Sequence, residues 1–330
     1  MALTGEDRLL AWLRRATGPS HLGDDAAHLE SPGDLAVTMD SQIEGVHFFA
    51  GLDPASIARR LLAVNLSDLA ATAAVPRFAF LALSTPREFP HRRFFRALLT
   101  ACRGAGVELA GGDLSSAPVV AATLTMLGTR PRGGRFLSRA GARPGHALWL
   151  GGTVGEAALG LTLIERGARL SGNRVVLPPA AQEAALAPSA RAAVRRHVLP
   201  VPQLELGLWL GRQREGGALD LSDGLARDLH RLCRESKVGA ELRPEALAAS
   251  PGWRRLCEVL GKSPLELQLC GGEDYVLLFT LPLGVEPPVK FGCRRIGRIV
   301  AGKEVTLIEG RKRRKLAPRG WDHFNLRVSG

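Results

Sequence analysis

A Gly- and Arg-rich passage at residues 128–145, GTRPRGGRFLSRAGARPG, most strongly limits how this chain can fold. Glycine and proline at this density interrupt the strand and helix patterns on either side of it. The chain has 330 residues, more than a single hydrophobic core usually serves, and a prior of about 150 residues per domain suggests two domains. The sequence therefore predicts one domain over residues 1–135 and a second over residues 136–330.

Both halves of the chain mix helical and strand patterns, which predicts an α/β (α+β) fold. In the first half, apolar residues at helical spacing predict helices over 6–15, 57–74 and 90–105. Runs of β-type residues predict strands over 35–39, 45–49, 77–83 and 119–127. In the second half, the corresponding patterns predict strands over 147–150, 219–221 and 275–281, and helices over 155–166 and 223–234.

The net charge of +12 comes mainly from one end of the chain. Residues 290–330 hold 12 basic and 3 acidic side chains, so this segment carries +9 and the other 289 residues carry +3. With aromatic residues at 5% and a single Tyr, the chain offers little for stacking on bases, and we expect no nucleic-acid partner. The basic run at 311–315 is expected to be a solvated turn, with attraction of anionic substrates as the alternative.

The amino-terminal residues MALTGEDR lack the positive charge and the long apolar run of a signal peptide. No segment approaches the ~20 apolar residues that span a bilayer. Five cysteines are spread without a CxxC pair, which is typical of neither a disulfide framework nor a zinc site. We therefore expect a cytoplasmic protein with buried free thiols and no membrane partner.

Aspartates recur beside small residues at expected strand ends and helix turns. They lie in Gly23-Asp24-Asp25, Thr38-Met39-Asp40, Asn65-Leu66-Ser67-Asp68, Gly111-Gly112-Asp113 and Asp220-Leu221-Ser222-Asp223-Gly224. Carboxylates gathered in one cleft repel one another unless cations hold them together, and magnesium prefers carboxylates, waters and substrate phosphates. The pattern thus favours magnesium-dependent nucleotide chemistry. A set of isolated helix caps and turn formers is the alternative.

The usual lysine-based phosphate motifs are absent. All six lysines lie at or after Lys237. Gly261-Lys262-Ser263 looks like the end of a phosphate-binding loop, but that loop needs a glycine where this chain has Leu256. The chain has no GxGxxG segment before a helix and none of the protein-kinase motifs. Phosphate must therefore be neutralised by metals and arginine, and Arg139 is a candidate.

Taken in order, these motifs resemble the thiamine-monophosphate kinase family. The matching segments are Gly23–Ala27, Val37–Phe48, Asn65–Ala70, Gly111–Asp113, Leu219–Leu225, Gly271–Tyr275 and Gly320–Phe324. The resemblance implies transfer of the γ-phosphoryl group of ATP to thiamine monophosphate, with several Mg²⁺ ions as cofactors. It also implies the two-domain architecture of aminoimidazole ribonucleotide synthetase, with an amino-terminal domain that binds ATP and metal and whose sheet forms a homodimer.

The same motifs identify the positions of this chain that correspond to the family's site residues. The resemblance implies magnesium ligands at Asp24, Thr38, Met39, Asp40, Asp68, Asp113, Asp220 and Asp223. It implies ATP contacts at Gly112, Asp113, Arg139 and Ser222, and thiamine monophosphate contacts at His47, Glu273 and Trp321. The alternatives are a structural role for a lone His in an apolar strand and core packing for a Trp near a terminus. No general base is expected, because the attacking phosphate oxygen is already anionic and positioning by metal supplies the catalysis.

Two segments depart from the family pattern. The usual Ser-Thr-Asp is Thr38-Met39-Asp40 here, and Met39 can offer magnesium only its backbone carbonyl. After Asp113, the usual polar pair with a basic residue is replaced by Leu114-Ser115-Ser116. At these two places the chain lacks side chains that the implied site would use.

Related families differ from this chain at particular residues. Selenophosphate synthetase needs a reactive Cys and a Lys near the amino terminus, whereas the first Cys is Cys102 and the first Lys is Lys237. The hydrogenase-maturation relative needs a carboxy-terminal Cys, and this chain ends in Val-Ser-Gly. Aminoimidazole ribonucleotide synthetase lacks the closing aromatic-Asp-His-Phe element.

Overall fold

The computed structural model describes residues 33–321, together with Leu9, Trp12, Leu13 and residues 15–17. The predicted magnesium ligand Asp24 lies outside the described residues, as does the end of the last motif at 322–324. The role of Asp24 therefore stays a prediction.

The chain divides into two compact units. The first unit takes in the described residues up to Leu69 and Ala74–Arg132. The second takes in Ala70–Ala73 and the described residues from Gly133 onward. Each unit contains its own sheet and its own helices.

A four-stranded sheet organises the first unit. Its strands are β1 (Leu35–Ile43), β2 (Val75–Thr85), β3 (Glu108–Ser116) and β4 (Ala121–Thr129), and the helices are α1 (Pro54–Ala71) and α2 (His91–Ala105). The strand order is β1-β4-β2-β3. β4 is antiparallel to β1 and β2, whereas β2 and β3 are parallel because the crossover helix α2 connects them.

One face of this sheet is buried and the other is open. Alternate residues of β4, Ala122, Leu124 and Met126, are fully buried, as the period of two in a strand requires. The other face presents Val37 and Met39 of β1, whose exposed fractions are 62% and 64%. Apolar side chains in a row on an exposed strand mark a surface that suits a partner.

A seven-stranded sheet organises the second unit. Its strands are β5 (Ala147–Leu150), β8 (Ala218–Asp220), β9 (Gly239–Leu242), β10 (Leu277–Leu281), β11 (Arg294–Val300), β12 (Val305–Glu309) and β13 (Lys312–Lys315). Their order is β13-β12-β9-β11-β5-β10-β8, with β12 and β9 parallel and the other neighbours antiparallel. A separate hairpin joins β6 (Arg169–Ser171) and β7 (Arg174–Val176).

Helices accompany this larger sheet. They are α3 (Glu156–Glu165), α4 (Ala187–Val198), α5 (Leu204–Gly211), α6 (Leu225–Ser236), α7 (Pro251–Val259) and α8 (Pro264–Cys270). The apolar stripe of α6, which includes Leu225, Leu229 and Leu232, lies in one core cluster with Leu219 of β8. This packing fixes the carboxyl end of β8 beside the start of α6.

The basic run predicted as a solvated turn is instead mostly an edge strand, β13. Arg313 pairs with Glu241 of β9, and Arg298 binds the same carboxylate at 2.6 Å. Hydrogen bonds from Arg298 and Arg313 lower the pKa of Glu241. Charged side chains on an edge strand discourage pairing with other chains, so the run has a structural use.

Residues 45–49, predicted as a strand, form a turn after β1. Gly45 has a φ of 80°, and its N–H donates to the carbonyl of Phe48 at 2.8 Å. Alternating apolar residues over so short a stretch do not distinguish a strand from a chain that folds back at a glycine.

Among the described residues, no helix is both long enough and apolar enough to cross a membrane. All five cysteines are free thiols. Burial raises the pKa of Cys102 and of Cys233 to about 12, so both stay protonated and unreactive.

Candidate functional site

β1 and α1 bring three predicted site residues together in the first unit. Thr38 Oγ1 donates a hydrogen bond of 2.5 Å to Asp68 Oδ2 on α1. The side chain of Asp40 lies on the same face of β1, and its backbone N–H donates to Asn65 Oδ1 at 3.1 Å. Asn65 is held in turn by a 2.9 Å hydrogen bond from its Nδ2 to the carbonyl of Leu61. The result is a group of hard oxygen donors at one edge of the sheet.

His47 lies in the turn that follows β1. Its Nδ1 accepts the backbone N–H of Ile43 at 3.1 Å. In the neutral ring the proton is then on Nε2, which makes Nε2 a hydrogen-bond donor. A donor of this kind suits a phosphate oxygen, as the predicted contact with thiamine monophosphate requires.

Met39 and Asp113 lie apart from the group around Asp40. Met39 points to the open face of the sheet, opposite to Thr38 and Asp40. Asp113 pairs in register with Ala82, and both residues are exposed. Because β1 and β3 are the two edge strands, three strand spacings, roughly 14 Å, separate Asp113 from β1. One copy of the chain therefore does not bring Asp113 and Asp40 together.

Gly112 precedes Asp113 at a point where no other residue fits. Its φ is 154°, and a Cβ atom there would lie 1.9 Å from the carbonyl oxygen of Leu81. The glycine therefore allows β3 to approach β2 closely just before the predicted ligand. This is a physical reason for the Gly-Gly-Asp pattern.

Backbone hydrogen bonds gather five predicted residues of the second unit. Asp220 ends β8 and is 6% exposed, and Ser222 and Asp223 follow it. Glu273 donates its N–H to the carbonyl of Ser222 at 2.7 Å, and Trp321 donates its N–H to the carbonyl of Asp223 at 2.9 Å. The three sequence motifs that contain these residues thus meet at the carboxyl end of β8.

The chain geometry around Glu273 is unusual. Glu273 and Tyr275 have positive φ values of 67° and 49°, which residues other than glycine rarely adopt. Glu273 Oε2 lies 3.1 Å from Nδ1 of His197, a buried residue of α4. Strained backbone of this kind is typical of positions that orient a functional side chain.

Asp228 and Arg231 of α6 hold Asp223 in place, and the sequence analysis did not single them out. Asp228 Oδ2 accepts the backbone N–H of Asp223 at 3.0 Å. Arg231 reaches Asp223 at 2.6 Å and Asp228 at 2.7 Å, so it bridges the two carboxylates. Burial, together with the negative charge of Asp223, raises the pKa of Asp228 to about 6. The sequence feature that indicates them is the group of charged residues at helical spacing after Asp223.

Asp274 caps a helix, which the sequence analysis also missed. Its two carboxylate oxygens accept the backbone N–H groups of Gly155 and Ala157 at 2.6 and 3.0 Å. The side chain is 1% exposed, and burial raises its pKa to about 7. Asp274 therefore fixes the segment next to Glu273 to the start of α3.

Arg139 lies in a single turn of 3-10 helix and is exposed. Its carbonyl accepts the hydroxyl of Ser236 at 2.6 Å, which ties this turn to α6. Among the described residues, no carboxylate lies within 4.0 Å of the Arg139 guanidinium. Its charge is therefore available to an anion.

The donor set suits magnesium, although it does not form a closed cage. In the part of the chain that the structure describes, no group of three or more His, Cys, Asp or Glu side chains is arranged to hold a metal ion. The oxygens of Thr38, Asp40 and Asp68 are hard donors, and magnesium commonly completes its shell with waters and substrate phosphates. The residues present therefore fit that ion in chemistry.

The comparisons with known proteins agree with one another. Residues 23–129 match the family model of AIR synthase related protein, N-terminal domain. The thiamine-monophosphate kinase of Escherichia coli (strain K12) is 35% identical over 318 residues, which cover 92% of this chain and 91% of that protein. The thiamine-monophosphate kinase of Aquifex aeolicus (strain VF5) is 30% identical over 324 residues, with 97% and 98% covered.

A solved structure, AaThiL complexed with AMPPCP and TMP, matches the fold with a TM-score of 0.76. Its sequence is 30% identical, and the match covers 98% of this chain and 99% of that one. The predicted α/β fold of the aminoimidazole ribonucleotide synthetase type is thereby confirmed. Because the similarity runs through both units at this level of identity, the chain belongs to the thiamine-monophosphate kinase family.

Proposed function

We propose that this protein transfers the γ-phosphoryl group of ATP to thiamine monophosphate and releases thiamine diphosphate and ADP. The observation that carries the proposal is the similarity of nearly the whole chain to thiamine-monophosphate kinases. The grouping of Ser222, Asp223, Glu273 and Trp321 at one strand end supports it from the structure.

Magnesium is the implied cofactor. Asp24, Thr38, Asp40, Asp68 and the carbonyl of Met39 would hold it in the first unit with Asp113, and Asp220 and Asp223 would hold it in the second. When bound, the ions would neutralise the phosphate chains, whose mutual repulsion is the main obstacle to the reaction. Gly112, Arg139 and Ser222 would contact ATP, and His47, Glu273 and Trp321 would contact thiamine monophosphate.

The transfer itself is a direct in-line step with no general base. A phosphate oxygen of thiamine monophosphate bonds to the γ-phosphorus while the bond to the β,γ-bridging oxygen breaks, and ADP leaves with that electron pair. ATP made chiral at the γ-phosphorus tests this step. Inversion at phosphorus in the product is expected, whereas retention would indicate a phosphorylated enzyme intermediate.

A homodimer is the second part of the proposal. The open face of the first sheet carries exposed Leu35, Val37 and Met39, and a second copy that covers it would remove this apolar surface from water. Dimerisation would also complete the metal site. Asp113 is too far from β1 in one copy, so we infer that one subunit supplies Asp113 to the β1 edge of the other.

These placements assign a different role to each of the two domains. Residues 1–135 would bind ATP and metal, form the dimer and supply the thiamine contact His47. Residues 136–330 would supply Arg139, the carboxylates at the end of β8 and the thiamine contacts Glu273 and Trp321. A cytoplasmic location is proposed as well, because ATP is available there and the five free thiols would stay reduced.

The experiment that tests the activity is a product assay with a panel of acceptors. Purified protein with ATP and magnesium is expected to convert thiamine monophosphate to thiamine diphosphate and to leave unphosphorylated thiamine unchanged. Chelation of magnesium should stop the reaction. An active preparation that phosphorylates thiamine but not its monophosphate would contradict the proposed substrate.

A further inference from the structure

The first unit contains a cavity of about 590 Å³ at the carboxyl ends of β2 and β3. Its polar lining consists of Thr85, Arg87, His91, Arg92, Ser115 and Ser116. Cavities of about 300–1,000 Å³ are the usual size for small-molecule sites. None of the predicted site residues that the structure describes lines this cavity.

The lining is cationic. As far as the structure describes it, the cations of the lining are two guanidinium groups, and the lining contains no carboxylate. Burial lowers the pKa of the third basic residue, His91, which favours its neutral form. Among the described residues, neither Arg87 nor Arg92 has a carboxylate within 4.0 Å. The next residue, Arg93, behaves differently, because it binds both oxygens of Asp53 at 2.5 and 3.1 Å. Arg93 is therefore paired with a carboxylate within the fold, whereas the adjacent Arg92 lines the cavity.

The wall of the cavity is held in place by local contacts. His91 Nε2 lies 2.9 Å from the hydroxyl of Thr85, and the ring packs edge-on against Phe89 at 5.3 Å between centroids. The loop before α2 closes a turn in which the N–H of Phe89 donates to the carbonyl of Pro86 at 3.1 Å. A wall fixed in this way loses little freedom when a ligand binds.

The hydroxyl groups of β3 add donors to this wall. Ser115 and Ser116 follow Asp113 by two and three residues and end the strand. The hydroxyl of Ser115 is 2.7 Å from that of Ser84 on the neighbouring strand. Guanidinium and hydroxyl donors around one space match the several acceptor oxygens of a phosphoryl group better than a single carboxylate.

We propose that this cavity binds the phosphoryl group of a small molecule, with Arg87 and Arg92 as its counter-ions and the hydroxyls of Ser115 and Ser116 as hydrogen-bond donors. The site goes beyond the proposed kinase reaction, because it contains none of the carboxylates assigned to magnesium within the described part of the chain. Its ligand is therefore recognised by direct contact with arginine instead of through a metal.

The test measures anion binding without metal. Calorimetric titration with inorganic pyrophosphate in the presence of EDTA excludes magnesium-mediated contacts and catalysis, so a failed kinase assignment would not affect the result. We expect the wild-type protein to bind and the double variant Arg87→Gln/Arg92→Gln to bind at least about 10-fold more weakly. Arg96→Gln changes an exposed arginine of α2 outside the cavity and should leave binding unchanged.

Further titrations distinguish the sources of the phosphoryl group. ATP, thiamine monophosphate, thiamine diphosphate and inorganic phosphate are titrated in turn under the same conditions. The compound whose affinity falls most in the double variant, and not in Arg96→Gln, is the ligand class of the site. Absence of binding by folded wild-type protein, or equal losses in both variants, would overturn the proposal. Matching melting temperatures of the three proteins exclude an effect of unfolding.

Discussion

Single residues decide whether the predicted ligands can be positioned at all. Gly112 allows β3 to pass close to Leu81, and Gly320 does the same in the second unit, where a Cβ atom would lie 2.3 Å from the carbonyl of Asp223. Asp223 in turn depends on Asp228 and Arg231. The carboxylates are therefore held by neighbours that have no direct part in the proposed reaction.

Gly112→Ala is expected to destabilise the fold by about 3 kcal/mol, because the new methyl group must displace the backbone of β2. Gly104→Ala is the matched control. Gly104 lies in α2, and nothing lies within 4 Å of the position that a new methyl group would take. This change should therefore leave the free energy of unfolding unchanged or raise it by about 0.5 kcal/mol. Urea unfolding of both variants measures the difference, and equal stability would show that β2 and β3 do not approach in this way.

Asp228→Asn should raise the magnesium concentration needed for half-maximal activity by about 10-fold, because Asp223 loses a charged neighbour that orients it. Glu235→Gln, an exposed change on the same helix, should have no effect. A fall in kcat at saturating magnesium with unchanged magnesium dependence would argue against this positioning role.

At the scale of the elements, the carboxyl end of β8 and the start of α3 are joined by the segment that contains Glu273 and Asp274. Asp274 binds the first turn of α3 through two backbone N–H groups. Because this carboxyl is fully buried, its ionisation opposes folding, and the raised pKa expresses that cost.

The stability contributed at Asp274 should fall as pH rises. Its pKa is 3.8 in the unfolded chain and about 7 in the fold, so between about pH 4 and pH 7 the unfolded chain releases the proton first. The melting temperature of wild-type protein should therefore drop relative to that of Asp274→Asn across this range and level off above it. A difference that is constant with pH would contradict the raised pKa.

Asp53→Asn provides a control in which the stability contribution of the carboxylate has the opposite pH dependence. Hydrogen bonds from Arg93 lower the pKa of Asp53, so its contribution is present above its unfolded pKa of 3.8 and is lost as pH falls below it. The melting temperature of wild-type protein should therefore rise relative to that of Asp53→Asn as pH increases from about 2 to about 5.

The sequence predicted the mixed fold, the ordered motifs, and most of the described strands and helices of the first unit, but fewer than half of those of the second unit. It could not supply the order of the strands. The order β1-β4-β2-β3 places Asp113 and Asp40 at opposite edges, and nothing in their spacing along the chain indicates this. Likewise, Asp228 and Asp274 look like ordinary surface acids until packing buries them, because burial depends on residues distant in sequence.

In the whole molecule, two copies of the chain are expected to build each metal site. Asp40→Asn and Asp113→Asn should each be inactive alone. If the two residues come from different subunits, a mixed dimer has one doubly altered site and one intact site. Random mixing should then restore about a quarter of wild-type activity, since half the dimers are mixed. No recovery in dimers shown to have exchanged subunits would place both residues in one subunit's site.

The phosphorylation of thiamine monophosphate can be followed directly by ³¹P NMR of the reaction. With ATP and magnesium, wild-type protein should give the two resonances of thiamine diphosphate as the γ-phosphorus signal of ATP disappears. Asp40→Asn of equal thermal stability should give neither change. Loss of the γ-signal with release of inorganic phosphate and no thiamine diphosphate would contradict the claim, because the protein would then be an ATP hydrolase.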